Sequence, residues 1–155
     1  MAYEYLDHPA PVGGRIHFRH SNPDDDPAEY VSRPRLTEQG IAFAYVAADT
    51  VNEYEALNSL ALQLGTDNPP YDPDPPAGMK GWLRFMDDLE TLSEREAGMV
   101  IIIDKAAKLF ADPASWGFEL ITSWVLQLPG WQRRKVPCHL VFQMDSDPAV
   151  KVIYG

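Results

Sequence analysis

The order of apolar patterns along the chain predicts an α/β fold, a small three-stranded parallel sheet packed with helices. Three observations carry this expectation. Ile41 to Ala47 is a β-branched and aromatic run that leads into helical periodicity, and Met99 to Ile103 is an apolar run without alternation, as in a strand covered on both faces. Val136 to Gln143 is a third such run, again reached through helical patterning. Helices that return the chain across the sheet make the strands they connect parallel.

Residues 1–40 are rich in His, Pro, Asp and Arg and read as an N-terminal extension that could add an edge strand or a hairpin. Only Arg15 to His20, RIHFRH, alternates Ile16 and Phe18 with polar neighbours, and Pro23 to Pro27 encloses three aspartates in a surface turn. Residues 41–155 read as the α/β domain itself. After the strand Ile41 to Ala47, Thr50 and Glu53 have the spacing of a capping box. Tyr54, Leu57, Leu60, Ala61 and Leu64 then form a stripe that Gly65 terminates. A proline-rich acidic stretch, Asn68 to Ala77, runs into a helix with Trp82, Phe85, Met86, Leu89 and Leu92 on one face and Asp87, Asp88 and Glu90 on the other. Past the central strand, Ala106, Leu109 and Phe110 suggest a short helix, and Asp112-Pro113 the start of another. That helix carries Trp116, Leu120, Trp124 and Leu128 and is expected to stop at Pro129-Gly130. The tail VKVIYG reads as a further extended segment.

At 155 residues and 45% hydrophobic content the chain suits one compact domain with a real core. Thirteen basic against 23 acidic residues give a formal charge of -10, which repels phosphate backbones and anionic lipid. Neither nucleic acid nor a membrane is expected as a partner. Cys138 is the one cysteine, so an intramolecular disulfide is excluded, and its apolar setting makes it a core residue. No stretch approaches the roughly 20 apolar residues of a membrane span, and the expected location is the cytoplasm.

No GxxxxGK[ST] and no GxGxxG occurs, so nucleotide hydrolysis is not expected and no cofactor is implied. His17, His20 and Asp24 to Asp26 would converge on a metal only from a helix, whereas RIHFRH reads as strand. His139 reads as a hydrogen-bonded core histidine. Asp72, Asp74, Asp87 and Asp88 could approach one another for acid and base work, but few residues remain to wall a cleft, and no G-x-S-x-G is present. The chain is therefore expected to bind a protein rather than to turn over a small-molecule substrate. Tyr71, Asp72 and Asp74 in the stiff loop, and Lys80, Trp82, Asp87 and Asp88 in the helix, are the candidate contacts, with Trp82 also placed as a core anchor.

The run Gly81-Trp82-Leu83-Arg84-Phe85-Met86-Asp87-Asp88-Leu89 is similar to the N-W-D-A-L-x-D-D-L pattern that follows a P-x-Y-x-G type loop in barstar and barstar-like proteins. Over Ile41 to Gln143 the chain resembles that family of small α/β ribonuclease inhibitors and related immunity proteins. The resemblance implies an immunity protein that binds a cognate toxin 1:1, a nuclease, and occludes its basic active site with the acidic loop and helix. Asp87 would stand for the helix aspartate that meets the enzyme's basic residues and Tyr71 for the loop aromatic, while for the acidic contact of the last helix Glu119 is the one carboxylate available and Gln127 the other polar candidate. Gly81 and Leu83 replace the pattern's asparagine and first aspartate, so the toxin is not specified. A non-inhibitory protein-interaction module and a small carboxylate-dependent hydrolase are the alternatives.

Overall fold

Ile16 and Phe18 alternate with arginines and histidines, and that alternation forms the first strand of the computed structural model, which describes residues 14–21, 24, 32–66 and 78–155. This strand, β1 (Gly14–Arg19), pairs in parallel with β4 (Cys138–Gln143), Gly14 lying opposite Cys138. With β2 (Ile41–Ala47) and β3 (Gly98–Asp104) it completes a four-stranded parallel sheet in the order β1-β4-β3-β2. The expected sheet had three strands; the fourth is the RIHFRH segment. Phe18 stacks on Phe142 at 5.4 Å and meets Phe110 edge-on at 5.6 Å, so aromatic packing holds the added strand to the sheet.

Helices cover both faces. One face carries Ala44, Val46, Met99, Ile101, Ile103, Leu140 and Phe142 into the larger core, shared with α2 (Glu53–Leu64), α3 (Gly78–Ser93) and α5 (Trp116–Arg134). The other face turns Phe43, Val100, Ile102 and Val141 toward Leu36 of α1 (Arg33–Glu38) and Val150 and Tyr154 of α6 (Pro148–Tyr154). Period-two alternation therefore feeds two cores from the same strands, and β3 is buried along its whole length.

α2 starts on Asn52, whose side chain accepts from Glu55 N–H while Glu55 accepts from Asn52 N–H. The expected box was Thr50 with Glu53, two residues earlier. The Thr50 hydroxyl instead donates to the Ala47 carbonyl and closes the turn out of β2. Gly65 ends the helix at φ 78, as its lack of a Cβ allows. In α3, Trp82, Phe85, Met86, Leu89 and Leu92 are all buried. At roughly 1.5–3 kcal/mol for each large apolar side chain, this burial rather than helix propensity fixes the helix on the sheet.

Past β3, α4 (Ala107–Ala111) is the expected short helix. α5 begins at Trp116 rather than at Asp112-Pro113, because the Asp112 side chain accepts from Ala114 N–H and forms a turn before the helix. It then passes the expected stop at Pro129-Gly130 and reaches Arg134. Proline inside a helix costs about 3 kcal/mol. Trp131 is fully buried two turns from Trp124, ring centroids 4.6 Å apart, and at about 25 cal/mol per Å² over an indole that burial is worth more than the lost bond. The tail expected to be extended is helical instead. Asp147 caps the Ala149 N–H at 3.0 Å and Pro148 occupies the first turn, a start signal stronger than the alternation in VKVI.

Candidate functional site

In open parallel sheets, ligands bind beyond the carboxyl ends of the strands, where the strand order switches direction. Here the chain goes from β1 at one edge to β2 at the other, then fills the sheet back through β3 and β4, so the switch lies beside β1 and β4. Asp104 closes β3 at this end and is 1% exposed. Tyr45 O–H donates to its Oδ2 at 2.6 Å and Lys105 N–H to its Oδ1 at 2.9 Å. Burial raises the Asp104 pKa, and these two hydrogen bonds oppose the rise. Burial also pushes the Tyr45 phenol well above its ordinary value, with the Asp104 contact adding to the effect. Lys105, at φ 52, sits in the left-handed region and places its ammonium 3.4 Å from Asp49.

The β1 and β4 ends are joined in the same way. Arg19 Nη1 donates to Gln143 Oε1 at 3.3 Å, and Gln143 Nε2 reaches Asp145 Oδ1 at 3.1 Å and Ser21 Oγ at 3.3 Å. Ser21 N–H donates to Asp145 Oδ1 at 2.7 Å, the main cause of that carboxyl's lowered pKa. Just inside the edge, His17 Nε2 and His139 Nδ1 share a hydrogen bond of 2.9 Å. His139 is 2% exposed, in keeping with the core histidine read from the sequence; burial first, then His17 and Arg15, lowers its pKa to about 4. These hydrogen bonds bind the strand ends together. Among the described residues no group of three or more His, Cys, Asp or Glu is placed to hold a metal ion.

The contacts proposed from sequence separate into different places. Trp82 is 0% exposed, stacks on Trp116 at 5.6 Å, and donates its indole N–H to Glu53 Oε2 at 3.3 Å. As a partner contact it is corrected: its ring is spent on the core. Glu119, half-buried on the first turn of α5, meets the Glu53 carboxyl, and burial followed by that neighbour raises its pKa to about 7. So Trp82 and Glu119 come together through Glu53. Asp87 is exposed, about 140° around the helix from Trp82 at 100° per residue, while Lys80, also exposed, shares the Asp87 side and Asp88 is half-buried. Tyr71, Asp72 and Asp74 lie outside the described residues. Tyr45, Lys105, Gln143 and Asp104 were missed, although Asp104 had a signal: it is the polar residue that ends the buried run MVIII.

No family model matches the chain, and no curated protein sequence does. Among solved structures it is similar to the ORC2 protein of Aeropyrum pernix. Against the ADP form the TM-score is 0.50 at 18% identity, covering 96% of this chain and 39% of that one. Against the ADPNP-ADP complexes it is 0.49 at 18% identity, covering 86% and 36%. The chain thus spans under two fifths of the ORC2 structures it matches. The ADP-form likeness describes the fold, and with the four-stranded sheet it overturns the barstar-like expectation. The immunity reading, with its cognate nuclease toxin and occluded basic active site, falls with it. Physically, the motif was degenerate: tryptophan, phenylalanine and leucine at helical spacing with acids outside satisfy any amphipathic helix laid on a sheet.

Proposed function

We propose that the chain is a non-enzymatic protein-interaction module, built on a fold like that of ORC2 but without the means to hold a nucleotide. The observation that carries this reading is the sequence that follows β1, SNPDDDPAEYVS (Ser21 to Ser32). Phosphate recognition at this place in parallel α/β folds rests on a glycine-rich loop, whose amides approach the phosphates, and on a lysine. This segment has neither glycine nor lysine and carries four acidic residues, which repel phosphate. The internal pairing of Asp104 with Tyr45 and of Lys105 with Asp49 supports the same reading, because both side chains are already engaged.

A formal charge of -10 favours a protein partner with basic groups over nucleic acid or a membrane. Among the described residues no helix is long and apolar enough to cross a membrane. The buried thiol of Cys138 suits a reducing compartment, and the cytoplasm is the proposed location. Titrating the purified chain calorimetrically with Mg-ADP and Mg-ATP, alongside an assay for released phosphate, tests the reading. Neither binding heat nor turnover is expected. Saturable nucleotide binding that weakens in Asp104→Asn would overturn it.

A further inference from the structure

β2 lies at the outer edge of the sheet. Its even-numbered residues face β3, as the bond from Ala48 N–H to the Asp104 carbonyl at 2.9 Å establishes. Main-chain groups alternate along a strand, so Ile41, Phe43, Tyr45 and Ala47 turn theirs away from the sheet. At Ala47 the carbonyl is taken by Thr50. At Tyr45 a side chain does the work of a missing strand: Gln63 Oε1 accepts from Tyr45 N–H at 2.9 Å and Gln63 Nε2 donates to the Tyr45 carbonyl at 2.8 Å. Ile41 and Phe43 have no such partner among the described residues.

A cavity of about 360 Å³ opens along this unpaired half of the edge, between α1 and α2. Arg33 crosses it, its guanidinium 4.7 Å above the Phe43 ring and one nitrogen donating to Gln63 Oε1 at 3.1 Å. Its Nε is buried and has no acceptor among the described residues. A buried cationic N–H without an acceptor is costly, and a carboxylate or carbonyl brought into the cavity would relieve that cost.

From the unpaired edge and the buried Arg33 Nε without an acceptor we infer that the cavity beside β2 takes an extended peptide segment of a protein partner. The segment adds as a short strand on Ile41 and Phe43 and sets an Asp or Glu side chain against Arg33. This rests on the interaction-module reading and gives it a surface. Gln63 ends the ladder at Tyr45, so the added strand is short. The walls of α1 and α2 admit one extended chain more readily than the edge of a second sheet with its own helices. Two copies of this chain joined edge to edge would also set Arg33 against Arg33, which like charges disfavour.

The test is a selection of a phage-displayed library of short random peptides on the full chain, followed by amide exchange measured by NMR with the selected synthetic peptides. The enriched peptides are expected to alternate β-branched with polar residues and to carry a carboxylate. They should slow exchange at Ile41 and Phe43 by tenfold or more while leaving the already bonded Tyr45 amide little changed. Arg33→Glu should weaken them by about tenfold or more, Arg33→Gln by less, and Asp87→Ala not at all, with circular dichroism confirming that each variant is folded. Peptides that leave Ile41 and Phe43 unprotected, or that bind Arg33→Glu as well as the parent chain, overturn the edge assignment but leave the interaction module standing. A selection without binders, or self-association that protects the same amides, also overturns it. Nucleotide turnover would remove the underlying reading independently.

Discussion

Two titrating pairs act in opposite directions with pH. His139 has its folded pKa lowered from 6.5 to about 4, mainly by burial. The stability tied to its neutral form is complete above pH 6.5 and is lost as pH falls toward 4. Glu119 has its folded pKa raised from 4.5 to about 7, by burial and then by Glu53. The stability tied to its protonated form is complete below pH 4.5 and is lost as pH rises through 7. Between about pH 4.5 and 6.5 the two slopes oppose each other, so single variants should expose what the parent chain conceals. In urea unfolding across this range, Glu119→Gln should steepen the loss of stability on acidification, and His139→Leu should flatten it. Parallel pH profiles for all three proteins would contradict the assignment. Sequence spacing carries no sign of such a pair: His17 and His139 are 122 residues apart and meet only because β1 is laid beside β4.

At the scale of the elements, α3 divides into a face that holds the fold and a face that does not. Leu89→Ala removes a fully buried side chain and should cost about 2–5 kcal/mol. Asp87→Ala, on the exposed side, should change stability by no more than roughly 0.5 kcal/mol. Equilibrium denaturation of the two variants checks the contrast, and equal costs would mean that the helix is seated differently. This division was legible in the sequence, since helical spacing alone put Trp82, Phe85, Met86, Leu89 and Leu92 on one side. The bounds of β2 were legible too, and the burial of β3 followed from its unbroken apolar run. The limits of α5 and the helical α6 were not, because the packing of Trp131 on Trp124 past Pro129 and of Tyr154 on Phe43 is tertiary and local signals do not contain it.

The described residues form one sheet with two unequal cores, both fed by β2, β3 and β4. All four tryptophans belong to the larger core, while α1 and α6 rest on the smaller. Because both cores draw on the same strands, tryptophan fluorescence and far-ultraviolet circular dichroism should report the same urea midpoint. Separate midpoints would show the smaller core opening by itself. The sequence by itself determined the α/β class, the apolar faces, the buried cysteine and the absence of a GxxxxGK[ST] or GxGxxG motif, because these depend on residue type and near-neighbour spacing. Only the tertiary structure decided that RIHFRH is a fourth strand beside β4, that Trp82 is spent inside, and that the outer edge of β2 is half open beside Arg33. Those outcomes depend on which strand lies next to which, a choice made by packing between segments far apart in the chain.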